Sequence, residues 1–321
     1  MPDSVYTALE VLAQSGSDYV TESELLETTG LAADQAVEVL ERLGIPVDRH
    51  PAYGLRIPVP YDLIDQARVM DSLLDRGIDW RVEGFLETES TNDLASEAAA
   101  KGASDGTTFF AEHQTRGRGR LGRTWHSPVG SGLWFSVLRR HDLAMDKGWR
   151  VTLGAGLALA ESIDALTTLE SSLKWPNDVQ IDGMKVAGIL TESRAESGRL
   201  THSIVGIGVN VLQDREEFPP ELREIACSLQ SVGGRCKRSD LLVEILIRLE
   251  GSLAQDPQHL LDRWSDRCSL WGQHVQVQFG ETLVEGEAIR LGNDGVLVIG
   301  TESGEELSIY TGDVTRVRAS T

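Results

Sequence analysis

Glycines at positions 117, 119 and 122 satisfy the Gly-x-Gly-x-x-Gly spacing of a dinucleotide-binding turn, and the residues that follow them exclude that fold. In a Rossmann unit the turn opens directly into a helix whose first N–H groups hold the pyrophosphate. Here the chain continues Arg123-Thr124-Trp125-His126-Ser127-Pro128-Val129-Gly130-Ser131-Gly132, a run that cannot open a helix. A kinase Gly-rich loop is excluded too, because no His-Arg-Asp or Asp-Phe-Gly follows. The loop instead joins two strand-like stretches, residues 107–114 and 132–139.

Four arginines, Arg116, Arg118, Arg120 and Arg123, crowd this loop in a chain with 50 acidic and 30 basic residues. Their mutual repulsion calls for a negative counterpart, and glycine allows backbone to approach one closely. An anionic ligand meets that need; a solvated surface loop is the bland alternative.

A second set of motifs decides between them: Lys174-Trp175-Pro176-Asn177-Asp178, Gly183-Met184-Lys185-Val186-Ala187-Gly188-Ile189-Leu190-Thr191-Glu192, Ser90-Thr91-Asn92 and Gly206-Ile207-Gly208-Val209-Asn210. In this order, with the arginine loop, they resemble the biotin protein ligases, which adenylate biotin and transfer it to a lysine of a carrier protein. The resemblance runs over nearly the whole chain, and its specificity lies in the combination. It implies ATP and biotin as substrates, Mg²⁺ as cofactor and a biotin carboxyl carrier protein domain as partner. It also implies a class II synthetase-like catalytic fold.

At 321 residues the chain is long enough for two or three domains. It contains no 18-residue apolar run and no signal peptide, so a soluble, cytoplasmic protein without membrane contact is expected. Cys227, Cys236 and Cys268 are irregularly spaced and form neither a disulfide framework nor a zinc motif. A net charge of −20 with only five lysines suggests a protein kept soluble at high salt, where the Debye length shrinks to ~3 Å at 1 M.

Periodicity divides the chain into three parts. Helical spacing over residues 3–14, a Thr21-initiated helix and a stripe of Val37, Leu40 and Leu43 precede a hairpin over residues 45–57. That order is the winged helix-turn-helix pattern, and residues 1–60 resemble the DNA-binding module some biotin ligases carry. Asp34, Glu38 and Glu41 on the third helix face only Arg42, which suits phosphate poorly. DNA binding and plain packing therefore both stay open. Pro58-Val59-Pro60 reads as an extended linker. Residues 61–270 alternate strands and helices as a mixed sheet backed by helices, an α+β catalytic domain. A helix over 62–76 buries Leu63, Ala67, Met70 and Leu74, and Ser90 or Thr91 caps the next. Asp182-Gly183 turns a hairpin, residues 186–194 and 200–212 pair as antiparallel strands, and 218–263 is helical. Four short strands within 271–321 suggest an SH3-like β-barrel, which the family places beside its active site.

An acyl-adenylate forms only if positive charge screens a carboxylate approaching a phosphate. Arg118, Arg120, Arg123 and Lys185 fit that role by charge. The resemblance puts Arg118, Gly119 and Arg120 over biotin and adenylate, Lys185 at the carboxylate and α-phosphate, and Trp125 near the adenine. It places Ser90, Thr91 and Asn92 against biotin. Biotin's neutral ureido ring needs donors and acceptors in an apolar pocket, for which Ser90, Thr91 and Gln114 are candidates, with Trp134 and the backbone around Gly188 as walls. Asn177 and Asp178 offer oxygen to Mg²⁺ and phosphates. Near the C-terminus Arg316 and Arg318 both suit a nucleotide contact, and the register does not choose. A lipoate or octanoate ligase is the competing enzyme, and a biotin-responsive transcription regulator the competing class. A homodimer through the strands of 186–212 is a further expectation.

Overall fold

The structure is a computed structural model describing residues 3–58, 61–279 and 281–316. It begins with helices α1 (Ser4–Gln14), α2 (Glu22–Thr29) and α3 (Ala33–Arg42), then a hairpin of β1 (Asp48–His50) and β2 (Gly54–Arg56). Local chemistry sets these bounds. The Asp3 carboxylate accepts from Val5 and Tyr6 backbone N–H groups, the Thr21 hydroxyl accepts from Glu24, and α2 ends at left-handed Gly30.

This module is not free of the rest. Tyr6 of α1 is fully buried, edge-on to Phe110 with ring centroids 5.3 Å apart, and its hydroxyl donates to the Ile64 carbonyl at 2.6 Å. The second Asp3 oxygen accepts from the Leu86 backbone at 3.0 Å. One apolar core therefore runs from α1 into the centre of the molecule. Val59 and Pro60 of the expected linker lie outside the described residues.

The helix expected over 62–76 is shorter and turned. Asp65 accepts from the Arg68 N–H and starts α4 (Gln66–Leu74) late, so Val69 and Leu73 are buried while Ala67 and Leu74 are exposed.

The central sheet contains β3 (Val82–Thr88), β4 (Thr108–Gln114), β5 (Gly132–Ala144), β6 (Ser172–Lys174), β7 (Asp178–Ile181), β8 (Met184–Glu196) and β9 (Arg199–Asn210). Their order is β3-β4-β5-β9-β8-β7-β6, with only β3 and β4 parallel, which is the mixed α+β sheet the sequence implies. Asp182 and Gly183, both at positive φ, make the tight turn between β7 and β8. Side chains alternate across it. Phe109, Leu138 and Ile204 meet Ala95 and Ala99 of α5 (Thr91–Ala100), whereas Phe110, Val137 and Val205 point to the main core. That core holds α6 (Trp149–Leu166), α7 (Arg238–Ser252) and α8 (Pro257–Asp266).

The helix expected over 218–263 is only half present. Pro219-Pro220 and Gly233-Gly234 keep 218–237 irregular, and α7 starts at Arg238. Strands β8 and β9 are interior rather than a sheet edge, although beyond Ile189 β8 pairs on one side only among the described residues. A buried ion pair ties these layers together. Arg238 Nη1 lies 2.8 Å from Glu112 of β4, both side chains without exposure, and also donates to the Gly132 carbonyl. The Tyr61 hydroxyl completes Glu112 at 2.9 Å. Removing one partner of such a pair costs about 3–5 kcal/mol because the other charge stays buried.

The C-terminal part is an open five-stranded sheet, β10 (His274–Phe279), β11 (Thr282–Leu291), β12 (Leu297–Gly300), β13 (Glu306–Ile309) and β14 (Asp313–Arg316), in the order β13-β12-β11-β10-β14. No closed barrel forms among the described residues. Strand β14 was not among the four expected strands, and its return to pair with β10 brings the chain back to the central domain. Arg318 lies outside the described residues, and Arg316 is the last residue of β14.

Candidate active site

The α5 face of β9 is covered by α5 as far as Ile204, then opens. Beyond it come Gly206 and Gly208, where a Cβ would lie 2.1 Å from Asn92 Oδ1 and 2.4 Å from Trp125 Nε1. Only a bare backbone leaves room there for the groups that line the space above the sheet. The result is a cavity of about 1110 Å³. Ser90, Thr91, Asn92, Gln114, Arg118, Gly119, Arg120, Arg123, Trp125, Asn177, Asp178, Lys185 and Gly188 all line it, so the structure brings these predicted residues to one place.

The floor is a chain of hydrogen bonds among neutral side chains, anchored at the start of α5 and ending on the Glu192 carboxylate. The Gln114 side-chain oxygen accepts from the Thr91 backbone at 2.9 Å and its nitrogen donates to Ser127 Oγ at 3.1 Å. Thr91 Oγ1 meets Ser136 Oγ at 2.7 Å, and Ser136 donates to Asn92 Oδ1 at 2.6 Å. Asn92 Nδ2 then donates to Glu192 at 2.6 Å. Neither Ser90 nor Thr91 caps its helix by side chain. Gln114 on β4 satisfies a free N–H at that terminus instead, which leaves the hydroxyls to the cavity floor.

The cover is the arginine loop, folded back on itself by Gly119 N–H donating to the Arg123 carbonyl and Trp125 N–H to that of Gly117. Arg118, Arg120 and Arg123 gather at the cavity as expected, and most arginines of the loop are paired with internal carboxylates. Arg116 pairs with Glu89 at 2.9 Å, Arg118 makes a two-pronged contact with Asp93 at 2.8 and 2.6 Å, and Arg123 pairs with Asp313. The Arg118 guanidinium beside Asp93 holds that carboxyl below its usual value. Arg120 makes no ion pair within 4 Å among the described residues. It donates to neutral acceptors, Asn177 Oδ1 at 3.2 Å, the Gly312 carbonyl at 3.3 Å and Thr311 Oγ1 at 3.2 Å. Burial lowers its pKa, which the charges of Asp178 and Asp313 offset only in part. Gly117 serves the loop rather than a ligand, since a Cβ there would lie 2.6 Å from the Trp125 carbonyl.

Lys185 stands between floor and cover. Its Nζ is 2.6 Å from Asp178 Oδ1 and 5.2 Å from the Trp125 ring centre. Residues 225–227 bond its backbone on both sides, with Lys185 N–H donating to Ile225 and Cys227 N–H to Lys185. The expected cation site at Asn177 and Asp178 does not fit this geometry. Lys185 holds the carboxylate and Arg120 the amide oxygen, and no group of three or more His, Cys, Asp or Glu able to hold a metal occurs among the described residues. Trp134 does not form a wall either. It is fully buried, with Trp125 packed edge-on to it at 6.3 Å.

Reasoning from sequence missed Asp93, Ser136, Glu192 and the 311–313 segment. Asp93 follows Ser90-Thr91-Asn92 directly and could have been paired with an arginine by charge; nothing local signals Asp313, 190 residues from Arg123. Burial pushes the Cys227 thiol up to about 12 and that of Cys236 to about 11.

Residues 85–210, from β3 to the end of β9, match the biotin/lipoate A/B protein ligase family. The bifunctional ligase/repressor BirA of Bacillus spizizenii is 30% identical, over 95% of this chain and 96% of its own. The biotin–[acetyl-CoA-carboxylase] ligase of Mycobacterium tuberculosis is 34% identical, over 79% of this chain and 96% of its own. Among solved structures, the Aquifex aeolicus biotin protein ligase in complex with biotin and ATP superposes with a TM-score of 0.63 at 31% identity. It covers 74% of this chain and 99% of that one.

Proposed function

The chain belongs to the biotin protein ligase family, and we propose that it activates biotin with ATP to biotinyl-5′-adenylate and transfers the biotinyl group to a lysine of a biotin carboxyl carrier protein domain. The observation that carries this reading is one cavity in which a neutral hydrogen-bonding floor adjoins four cations, Arg118, Arg120, Arg123 and Lys185. Its volume exceeds that of most single-ligand pockets, which suits two substrates held side by side.

In this reading Thr91 and Gln114 orient the ureido ring, assisted by Ser90 and Asn92, and Gly188 leaves space for the chain of biotin. Arg120 and Lys185 neutralise the biotin carboxylate and the α-phosphate as the C–O–P link forms and pyrophosphate leaves. Preorganised charge of this kind needs no rearrangement during the reaction. Arg118 and Arg123 hold phosphate oxygens by guanidinium forks, and Trp125 flanks the adenine. Mg²⁺ enters with the nucleotide, whose phosphates supply the hard oxygen ligands it prefers. Residues 1–60 act as a winged helix module, 61–270 as the ligase and 271–321 as an SH3-like domain closing over the cavity.

Mass spectrometry of a carrier domain incubated with the protein, ATP, Mg²⁺ and either biotin or lipoate tests the assignment. A biotinyl adduct alone is expected; an adduct only with lipoate, or none, rejects it.

A repressor function is a second reading, favoured by the helix–helix–helix–hairpin order and the near full-length match to a bifunctional ligase/repressor. Its DNA affinity would be modest, since Asp34, Glu38 and Glu41 are exposed on α3 while Arg42 pairs with Glu87 and Arg49 with Glu22 and Asp34. Biotin-dependent retention of operator DNA in a gel-shift assay decides it. The one-sided stretch of β8 beyond Ile189 suits pairing with a second copy, and sedentation with and without biotin measures whether a homodimer forms. Among the described residues no helix is long and apolar enough to cross a membrane, in keeping with a cytoplasmic site of action.

A further inference from the structure

The cover of the cavity is fastened to the C-terminal sheet by two arginines whose acceptors are protein groups. Arg123 pairs with Asp313 at the start of β14, and Arg120 donates to Thr311 Oγ1 and the Gly312 carbonyl. All three acceptors lie in one three-residue stretch. Asp313 lines the cavity beside Arg123. Burial alone would raise its carboxyl, but the hydrogen bond and charge of Arg123, with Lys174 and Arg120 beyond, bring it below the ordinary value, so it is ionised at neutral pH.

Arg123 meets no other carboxylate within 4 Å among the described residues, and its side chain is 63% exposed. An ion pair this open is weak and exchangeable. A polyphosphate offers more charge and more acceptor oxygens to the same fork. Asp313 takes the Nη2 donor of that fork and repels a second anion arriving beside it.

We propose that Asp313 is a positioning residue acting through Arg123: an internal anion that holds the arginine loop against the C-terminal sheet and yields Arg123 to the phosphates of ATP. This rests on the reading of the cavity as a nucleotide site. Asp313 then sets nucleotide affinity, while biotin binding on the neutral floor is independent of it. Nucleotide entry loosens residues 311–316 from the loop.

The test uses the full chain and its variants Asp313→Asn and Asp313→Glu, following biotin-dependent pyrophosphate release with ATP varied, and biotin binding by calorimetry. Asp313→Asn should lower the KM for ATP about two- to fivefold at low salt, the weight of an exposed ion pair. Biotin Kd should not change, Asp313→Glu should restore the KM, and the difference should vanish at about 1 M KCl. An unchanged or raised KM with normal biotin Kd overturns the proposal. If Asp313→Asn does not fold, hydrogen exchange in the unaltered chain decides. Amides of 311–316 should exchange faster with ATP alone, and equal or slower exchange overturns it. An unaltered chain that releases no pyrophosphate at all would instead overturn the nucleotide reading beneath it.

Discussion

On the floor of the cavity, Ser136, Thr91 and Asn92 are buried and joined by hydrogen bonds of 2.6 to 2.7 Å between neutral groups. On its cover, Arg118 and Arg123 are tied to carboxylates while a third or more of each side chain stays exposed. Disturbing the floor leaves buried donors and acceptors unpaired, at about 1–3 kcal/mol each. Disturbing the cover exchanges one ion pair for another or for water, at about 0–1 kcal/mol. The floor can therefore discriminate a neutral substrate by shape, whereas the cover can take up and release phosphates on every turnover.

Lys185→Ala gives the largest expected effect, since this lysine lies where floor and cover meet. Adenylation should slow by ~10²–10³, the usual loss for one preorganised charge, while transfer from preformed biotinyl-adenylate to a carrier lysine suffers less. Measuring both half-reactions in the same variant checks this; equal losses would make Lys185 a binding or structural residue.

Gly206→Ala attacks the floor alone. The new Cβ would fall 2.1 Å from Asn92 Oδ1, and relieving that overlap should weaken biotin roughly 10- to 100-fold with the KM for ATP little altered. Calorimetry with biotin reads the first quantity and pyrophosphate release the second. Parallel losses in both would erase the distinction between the two sides.

A smaller effect separates them by pH. Arg118 lowers the folded pKa of Asp93, so the stabilisation from this pair is complete above the ordinary carboxylate value of about 4 and is lost as pH falls through the lowered one. The carboxyl ¹³C shift of Asp93 should titrate below about 4, and return to the ordinary value in Arg118→Ala. An ordinary midpoint in the unaltered chain would mean the loop is open in solution.

Salt should give the mildest signal. With a net charge of −20, molar KCl should raise the melting temperature by screening self-repulsion even as it loosens the cover pairs. Calorimetric scans at low and high KCl read this directly, and a flat response would remove the inference of adaptation to high salt.

Much of the fold was legible because its signals are local. Thr21 places a helix start, Asp182-Gly183 places a turn, and residues 107–114 read as a strand. The register of α4 was not, because Asp65 competes with Asp62 as a start and only packing on Ile64, Val69 and Leu73 chooses. The list of cavity residues was legible through motif chemistry: glycines, arginines and a lysine at set spacings point to anions. What the sequence alone determined is therefore the elements, their order and the chemical character of the site. The tertiary structure decided which charge meets which: Arg118 with Asp93, Lys185 with Asp178, Arg123 with Asp313 across 190 residues. Charge pairing has no period and no preferred sequence separation, so it becomes visible only once the sheet and the returning C-terminal strand have brought the partners together.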